Sequence, residues 1–426
     1  MTTDRFALGV DVGTSGVRLV ALDATGEVVA ESAAAMAAPV RSGAAITQDP
    51  SIWIVALASA FEAIRGSGVL ARVGAVAVDG TSGTVLAIDR TGAALGPARM
   101  YNDPCRAESV EAIAAHAPAT SAAHGSSSAL GRALDLRSLR PHRILHQADW
   151  VAGRLSGRFD VSDENNALKT GYDPVFRRWP EWIASTGMDT SLLPNVVAAG
   201  AVTGGCGAAM AKALGLPVDA LVVAGTTDGC AAFLATGADQ PGDGVTSLGS
   251  TLVLKLLSEK PLFATEYGIY SHRIGDMWLA GGASNTGGAA LLRHFTAQRM
   301  TTLEPQLDAN RGTGLSYYPL PGKGERFPIN DPGLPSRVTP RPLDDAQFLQ
   351  GLLEGIADVE ALGYRRLAEI GAARLRSLRT VGSGAANKAW TEIRRGKLDV
   401  PFLPARSEAA AAGVARLALK AMQDAA

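Results

Sequence analysis

The chain has 426 residues, of which 47% are hydrophobic and 19% charged, with a formal net charge of −1. This length predicts two domains, at roughly 100–200 residues each, and the composition excludes a disordered chain. The near-zero charge excludes a bulk field that would recruit nucleic acid or an anionic membrane. The scattered cysteines Cys105, Cys206 and Cys230 favour a reducing compartment over a disulfide framework. Because residues 1–5 lead directly into a strand pattern and no apolar stretch is long enough for a bilayer, we expect a cytoplasmic protein without a targeting segment.

Residues 6–31 predict three short antiparallel strands. The first turn reads Gly13-Thr14-Ser15-Gly16, and a P-loop or dinucleotide-binding unit would continue from such a turn into a helix. Here the alternating run 17–22 continues as a strand instead. The turn offers backbone N–H groups and two hydroxyls, which suit phosphate oxygens. Taken alone, however, the motif is more typical of an ordinary hairpin.

Two charged residues flank this turn. Asp11 is suited to a magnesium ion bound through water, because Mg²⁺ prefers one or two carboxylates together with phosphates and water. Arg18 lies in the returning strand, from which it can reach back toward the phosphates.

A helix is predicted next, with Asp49 as its N-cap, Pro50 in the first turn and Gly66 at its end. The stretch 73–95 then repeats the opening layout of strand, Asp-Gly-Thr-Ser-Gly turn and strand. We interpret the two copies as the same physical solution used twice.

The second turn has no further phosphate to bind, so its small groups fit a polyol or sugar. The candidates are Gly80, Thr81 and Ser82. Asp103 adds either a carboxylate acceptor for sugar hydroxyls or a cap for the following helix. Residues 106–160 are predicted to be mostly helical.

Asp228 lies where a buried strand, residues 220–225, passes into a helix predicted over 227–238. An acidic residue in the first turn of a helix contributes about 0.3–1 kcal/mol through the macrodipole, which is one explanation for it. The other is a general base aimed at a substrate hydroxyl. An Asp with a pKa of about 3.9 is ionised at neutral pH, and phosphoryl transfer depends mainly on positioning and charge neutralisation. Beside phosphate-binding turns, the second explanation is favoured.

The strand–turn–strand pattern begins again after residue 240, in the stretch 245–258. Two more glycine-rich stretches follow, at 280–288 and 380–387, before an alanine-rich terminal helix predicted from Ser407. Three such phosphate- and nucleotide-sized contacts in one chain predict a split nucleotide clamp in a two-lobed α/β protein. The predicted nucleotide-binding residues of this half are Gly249, Ser250, Thr251, Gly288, Gly384, Ala385 and Asn387.

Other classes of site are not supported by the sequence. The six histidines form no pair beside a catalytic acid, so metal binding by histidine is not expected. No G-x-S-x-G segment supports a serine hydrolase.

The motifs DVGTSG, VDGTSGT, GTTDG, SLGST and GSGAAN, in this order, resemble those of the FGGY carbohydrate kinases. The interior stretches 145–174, 245–258 and 278–289 are similar to those of the D-ribulokinases of plants and cyanobacteria. The resemblance implies an α/β, actin-like (ribonuclease H-like) ATPase fold with two lobes and a central cleft. The N-terminal lobe would comprise residues 1–239 completed by 406–426, and the nucleotide-binding lobe residues 240–405.

The resemblance also implies roles for the candidate residues. Asp228 would be the catalytic base, and Thr81 and Ser82 would contact the ketose. Asp11 and Thr14 would lie at the metal and the γ-phosphate. The remaining phosphate contacts would be Gly13, Ser15, Arg18, Gly249 and Ser250, and the adenosine contacts Gly384, Ala385 and Asn387.

Two positions depart from the family pattern. Many members carry a Lys-x-x-Trp signature that residues 124–139 lack, and Arg132 is the candidate substitute. Ser383 stands where glycine is usual. The expected activity is therefore transfer of phosphate from ATP–Mg²⁺ to the terminal hydroxyl of a ketopentose, D-ribulose foremost. Alternatives are a kinase for xylulose, L-ribulose or glycerol, a non-catalytic sugar sensor that responds to nucleotide, and an actin-like phosphohydrolase.

Overall fold

The computed structural model describes residues 5–425, so the predictions that involve residues 1–4 and 426 lie outside the described residues. The chain divides into two compact units. Unit 1 contains the residues up to Ala235, His272–Gly275 and the residues from Ala409 onward, and unit 2 contains Thr236–Ser271 and Asp276–Glu408. Unit 2 thus begins and ends outside the predicted range 240–405, because the N–H of Arg406 donates to the carbonyl of Thr236 and joins its two ends.

The strands of the described chain are, in order, β1 Phe6–Val12, β2 Gly16–Leu22, β3 Val28–Ala35, β4 Val40–Ser42, β5 Ala45–Gln48, β6 Val73–Gly80, β7 Val85–Ile88, β8 Ala98–Arg99, β9 Arg143–His146, β10 Val161–Asp163, β11 Asn195–Val197, β12 Val202–Gly205, β13 Leu221–Thr227, β14 Asp243–Leu248, β15 Leu252–Ser258, β16 Phe263–Ala264, β17 Ile269–Tyr270, β18 His272–Ile274, β19 Met277–Ser284 and β20 Ser377–Val381. The α-helices are α1 Pro50–Ile64, α2 Ala107–His116, α3 Ala129–Leu136, α4 Gln147–Ser156, α5 Glu164–Leu168, α6 Trp182–Ser185, α7 Ala208–Leu214, α8 Asp228–Ala235, α9 Gly288–Leu291, α10 Ala297–Leu303, α11 Asp345–Glu369, α12 Lys388–Leu398 and α13 Ala410–Asp424.

The main sheet of unit 1 has the strand order β12-β13-β6-β1-β2-β3. Its three central strands, β13, β6 and β1, are parallel, and β2 and β3 continue antiparallel from β1. The predicted opening hairpin and third strand are therefore confirmed. In a sheet with parallel strands, ligands bind beyond the carboxyl ends, and here those ends carry Asp11, Asp79 and the start of α8.

The second Asp-Gly-Thr-Ser-Gly motif does not form a hairpin, so its interpretation as a repeat of the first is wrong. The strand before it, β6, lies in the main sheet, whereas β7 belongs to a second sheet of order β4-β5-β8-β7-β9. The turn after β6 thus carries the chain from one sheet to another. Local sequence is alike in the two motifs, but the strand partners come from distant segments and differ.

The terminal helix α13 packs on the main sheet of unit 1 at very short range. A Cβ atom added to Gly9 would lie 1.8 Å from the carbonyl oxygen of Ala411, and one added to Gly413 would lie 1.8 Å from that of Ala231 in α8. Glycine at both positions therefore allows backbone to approach backbone. The helix begins at Ala410 rather than at the predicted Ser407.

In unit 2, the strands β19, β15, β14 and β20 lie side by side in that order. The predicted hairpin is confirmed, since β14 and β15 pair antiparallel from Gly244 to Leu256, and β20 runs parallel to β14. The long helix α11 supplies much of the apolar core of this unit, including Phe348, Leu352 and Ile356.

Helix α1 was predicted correctly from local sequence signals, because its ends do not depend on residues distant in the chain. The Asp49 side chain accepts the N–H of Ser51 as the N-cap, Pro50 occupies the first turn, and a 3₁₀ turn over Arg65–Ser67 ends the helix. The region 106–160 is less helical than predicted, because β9 separates α3 from α4. Within residues 5–425, no helix combines the length and the apolarity needed to cross a bilayer.

Candidate active site

Acidic residues gather at the carboxyl edge of the main sheet of unit 1. Asp11 and Asp79 are register partners on β1 and β6, and on the other side of β6, Thr226 pairs with Asp79. Asp228 follows two residues later as the first residue of α8. The strand spacing of about 4.8 Å places Asp11, Asp79 and Thr226 within about 10 Å along the sheet edge, and Asp228 begins the helix that follows Thr227.

Asp79 is fully buried, and among the described residues neither of its carboxylate oxygens has a hydrogen-bond partner. Burial raises the pKa of Asp79 well above its usual value, and the nearby carboxylates of Asp11 and Asp228 raise it further. An unpartnered buried carboxylate is costly, so it marks a place where a ligand or ion would complete the structure. Asp79 opens the second motif, but the sequence did not single it out as a site residue.

Asp228 occupies the position that the sequence predicted, at the transition from β13 to α8. It is partly exposed, and its Oδ1 accepts the N–H of Gly229 at 2.7 Å. An acceptor at the start of a helix is held by the backbone and by the favourable end of the helix dipole. The Asp228 carboxylate is therefore held in a defined position at the start of a helix, as a general base requires.

The turn between β1 and β2 is held by its own backbone. The N–H of Gly13 donates to the carbonyl of Gly16 at 3.0 Å, so this amide is not available to a phosphate as the sequence analysis assumed. The carbonyl oxygens of Thr14 and Ser15 accept from Gln48 Nε2 and from the N–H of Met36. In the described part of the chain, the amides and hydroxyls of Thr14 and Ser15 have no hydrogen-bond partner. These groups therefore remain as anion donors.

Arg18 lies beside this turn. Its Nη1 is 3.2 Å from Oδ2 of Asp11, which is itself buried, while the arginine side chain is about half exposed. The pairing orients the guanidinium at the sheet edge. One cationic and one anionic side chain thus accompany the free amides of the turn.

The second predicted turn, Asp79 to Gly83, contains buried hydroxyl groups. Thr81 is 5% exposed, and the Oγ of Ser82 is buried with no hydrogen-bond partner among the residues described. Small polar groups at the end of a parallel strand are typical of a site for a polar ligand. The structure therefore brings Thr81 and Ser82 to the same sheet edge as Asp11 and Asp228.

Gln147 and Arg132, which were not among the predicted site residues, hold this turn from opposite ends. Oε1 of Gln147 accepts both the N–H of Thr81, at 2.9 Å, and its hydroxyl, at 2.7 Å. Nη2 of Arg132 donates to the carbonyl of Gly83 at 2.7 Å. Burial lowers the pKa of Arg132 to about 10, although nearby acidic groups act to raise it. The sequence marked Arg132 only as a replacement for a missing lysine, and the structure shows that it supports the turn.

Asp103 does not fit its predicted roles. It is fully buried, Oδ1 accepts the N–H of Ile46 at 2.9 Å, and Oδ2 pairs with Nε of Arg99. Both oxygens are thus used within the protein, which leaves none facing a sugar. The residue does not cap α2 either, because the N-cap position of that helix is Arg106.

In unit 2, the hairpin turn after β14 meets the start of α9. The N–H of Gly288 donates to the carbonyl of Gly249 at 2.9 Å, and the N–H of Ala289 to that of Ser250 at 3.0 Å. Gly249 also donates to Thr251 within the turn. The structure therefore brings together the predicted residues of the two separate motifs at 247–251 and 280–288.

The third glycine-rich segment follows β20, which is the parallel neighbour of β14. Cβ atoms added to Gly384 would lie 2.7 Å from Cβ of Leu248 and 2.8 Å from the ring of Trp390, so the segment packs closely on the end of β14. Oδ1 of Asn387 accepts the N–H of Trp390 as the N-cap of α12, and Ala385 lies in the 3₁₀ turn before it. All predicted nucleotide residues of unit 2 thus lie at one edge of its sheet.

The comparisons with known proteins agree with this arrangement. Residues 6–126 match the N-terminal domain, and residues 244–422 the C-terminal domain, of the FGGY family of carbohydrate kinases. The chain belongs to this family. It is 26% identical to a xylulose kinase of Klebsiella pneumoniae over 98% of the chain and 90% of that protein. It is 25% identical to a xylulose kinase of Escherichia coli (strain K12) over 91% of the chain and 83% of that protein.

Solved structures show the same fold. A xyloylose kinase from Brucella ovis superposes with a TM-score of 0.87 at 25% identity, covering 99% of this chain and 91% of that one. A glycerol kinase from Plasmodium falciparum, solved with ADP, has a TM-score of 0.83 at 16% identity, covering 99% and 90%. The predicted two-domain, actin-like α/β fold is therefore confirmed. This FGGY member is a carbohydrate kinase, a phosphotransferase with an alcohol group as acceptor.

Proposed function

We propose that this kinase transfers the terminal phosphoryl group of ATP to the C5 hydroxyl of D-ribulose, forming D-ribulose 5-phosphate. The observation that supports it best is the placement of Asp228 at the same sheet edge as the buried hydroxyl turn of Thr81 and Ser82. A base and a set of sugar-sized polar contacts on adjacent parallel strands suit a small polyhydroxy acceptor.

In the proposed reaction, Asp228 accepts the proton of the sugar hydroxyl as its oxygen attacks the terminal phosphorus. Gly80, Thr81 and Ser82 hold the sugar, so that the attacking oxygen is positioned before transfer begins. The amides of Thr14 and Ser15, together with Arg18, neutralise charge on the phosphoryl oxygens. Positioning and charge neutralisation are the main demands of this chemistry.

Asp11 and Asp79 fit a magnesium ion. Both offer carboxylate oxygens, which are hard ligands of the kind Mg²⁺ prefers, and the Asp79 oxygens have no partner among the described residues. Among these residues, no cluster of three or more potential ligands is present, which suits an ion held mainly by phosphates and water. When bound, the ion supplies positive charge to the phosphate oxygens.

We further propose that residues 240–405 form the nucleotide-binding lobe. Gly249, Ser250, Thr251 and Gly288 would lie against the phosphates, because the turn and the start of α9 present small residues together. The amides of Gly249 and Gly288 are used within the protein, so the hydroxyls of Ser250 and Thr251 would be the donors. Around the adenosine, the proposed contacts are Gly384, Ala385 and Asn387. The close packing of Gly384 on Leu248 holds this segment at the end of β14.

D-Xylulose is the second candidate substrate. The two curated relatives are named as xylulose kinases, and D-xylulose differs from D-ribulose only in configuration at C3. For D-ribulose, the support is the interior stretches 145–174, 245–258 and 278–289, which resemble those of D-ribulokinases.

A sugar panel tests the proposal. The full chain is assayed with ATP and Mg²⁺ against D-ribulose, D-xylulose, L-ribulose and glycerol by coupled ADP detection, and the position of the phosphate is read by ³¹P and ¹³C NMR. We expect the highest kcat/KM for D-ribulose and a 5-phosphate product. A higher kcat/KM for D-xylulose would replace the first candidate by the second. ADP formation without any sugar would contradict both.

A further inference from the structure

A chain of hydrogen bonds runs through the turn that is proposed to hold the sugar. The N–H of Tyr101 donates to Oγ1 of Thr84 at 3.1 Å, and the hydroxyls of Thr84 and Thr81 lie 2.6 Å apart. Oγ1 of Thr81 is in turn 2.7 Å from Oε1 of Gln147. All the side chains that link this chain (Thr84, Thr81 and Gln147) are buried.

The direction of every bond in this chain is determined. The same Gln147 oxygen accepts the N–H of Thr81, so the atom at that position must be the carbonyl oxygen of the amide. A carbonyl oxygen cannot donate, and the single hydroxyl proton of Thr81 must therefore point at Gln147. The hydroxyl of Thr84 must then donate to Thr81, and Thr84 in turn accepts from Tyr101.

Thr81 is left with one open hydrogen-bonding position. A hydroxyl has one donor and two acceptor lone pairs. Gln147 takes the donor, and Thr84 takes one lone pair. Whatever Thr81 offers to a ligand is thus an acceptor. By contrast, Ser82 has a hydroxyl with no partner among the residues described and remains able to donate.

We infer that Gln147 is a positioning residue that fixes Thr81 as a hydrogen-bond acceptor, so that this point of the site selects a sugar hydroxyl and rejects a carbonyl. The inference rests on the proposed function, since it needs a sugar at Thr81. A ligand that leaves a buried polar group of the site unpaired binds less favourably by the free energy of that lost hydrogen bond. Such a site therefore discriminates strongly between ligands.

The test is a double-mutant cycle on the full chain with its best ketopentose. Thr81→Val removes the hydroxyl at nearly constant volume, and Gln147→Met removes the acceptor at similar length. Each should raise the sugar KM by about tenfold and leave the ATP KM within about twofold, as expected for one lost buried hydrogen bond. Since Gln147 acts through Thr81, the double variant should be no worse than Thr81→Val alone.

Two further variants separate positioning from general stability. Gln147→Glu keeps the oxygen that accepts from Thr81, so its sugar KM should stay within about threefold of the parent. Gln350→Met is the matched control in unit 2, where the amide is bonded to Asp308, Arg311 and Glu354. It should lower the Tm and leave the sugar KM unchanged.

Mono-deoxy analogues of the accepted sugar identify the contacted hydroxyl. With the parent enzyme, one analogue should have a kcat/KM about tenfold lower than that of the full sugar. With Thr81→Val, the same analogue and the full sugar should have equal kcat/KM. If Gln147→Met does not fold, Gln147→Leu, which also lacks the acceptor, replaces it in the cycle, and its effect should likewise vanish in the Thr81→Val background.

The outcomes are distinguishable. If the parent phosphorylates the ketopentose normally and the effects of Thr81→Val and Gln147→Met on the sugar KM multiply in the double variant, this inference is overturned and the proposed function stands. A Gln147→Glu variant as impaired as Gln147→Met would have the same consequence. A parent that phosphorylates no ketopentose would overturn the proposed function, and the inference with it.

Discussion

Asp11 and Asp79 are direct register partners on the neighbouring parallel strands β1 and β6. Their side chains therefore leave the sheet on the same face at its carboxyl edge. Both residues are buried, and Asp11 is one of the charges that raise the pKa of Asp79. Without a cation, burial and the charge of Asp11 favour the protonated form of Asp79, whereas a bound cation would favour both ionised carboxylates. The pair is therefore better suited to ion binding than to stabilising the fold.

Asp11→Asn should raise the Mg²⁺ concentration needed for half-maximal activity by about tenfold or more, because one hard anionic ligand is lost. The Tm of the metal-free protein should change little, since the asparagine oxygen can still accept from Arg18, which is about half exposed. Magnesium titrations of activity at saturating ATP and thermal unfolding in EDTA measure the two effects. An unchanged magnesium requirement would place the ion elsewhere.

Asp228→Asn should lower kcat by about 10²–10⁴-fold, the range for loss of a general base, and leave the Tm and ATP binding close to the parental values. The amide keeps the shape and the acceptor oxygen that faces Gly229. Asp219→Asn, an exposed change on the same unit, is the control and should retain full activity. Near-parental turnover of the Asp228 variant would rule out this residue as the base.

Thr14→Ala should raise the KM for ATP by about tenfold and leave the sugar KM unchanged, because it removes a free hydroxyl at the phosphate turn. The turn itself should persist, since Gln48 contacts the carbonyl oxygen of Thr14 and not its side chain. Thr25→Ala, in the exposed turn between β2 and β3, is the matched control and should not alter either KM. Steady-state kinetics with each substrate varied in turn provide the measurement, and equal ATP kinetics for the two variants would contradict the placement.

Gly9→Ala should destabilise the protein by about 1–3 kcal/mol or more, because the new methyl group would overlap the carbonyl of Ala411. Helix α13 would have to move away from β1. Gly66→Ala, where a Cβ atom would meet nothing within 4 Å, is the control and should change stability by about 0.5 kcal/mol or less. Urea unfolding of both variants measures the difference, and similar midpoints would show that α13 does not pack as described.

His146 predicts an acid-sensitive fold. Burial, with Arg132 and Lys169 nearby, lowers its pKa to about 3 from the ordinary value of 6.5. Below pH 6.5 the unfolded chain binds a proton that the folded protein does not, so stability that is complete above this pH is lost as the pH falls, by about 1.4 kcal/mol per unit. His146→Gln can keep a hydrogen bond to Thr170 and cannot titrate. Between pH 7 and pH 5, the Tm of the parent should therefore fall by more than the Tm of this variant. Equal decreases in Tm would contradict the lowered pKa of His146.

Several site residues were predictable because their roles depend on local sequence. Thr14 and Ser15 form a tight turn between two strands that are adjacent in the chain, and Asp228 begins a helix directly after a buried strand. Asp103 was misplaced because one of its two partners, the N–H of Ile46, lies far earlier in the chain. For Gln147, the available signal was a polar residue directly after the short strand β9, but its partner Thr81 lies in a different motif.

The amino-acid sequence by itself determined the fold class, the family resemblance and the candidate base, since these depend on short motifs, their order and the strand and helix periodicities around them. Tertiary structure alone decided that the turns at 13–16 and 79–83 differ, that Asp11 and Asp79 are neighbours, and that Gln147 is hydrogen-bonded to Thr81. The reason is physical: strand partners and the direction of a hydrogen bond depend on groups that are distant in the chain. Local propensity carries no information about those groups.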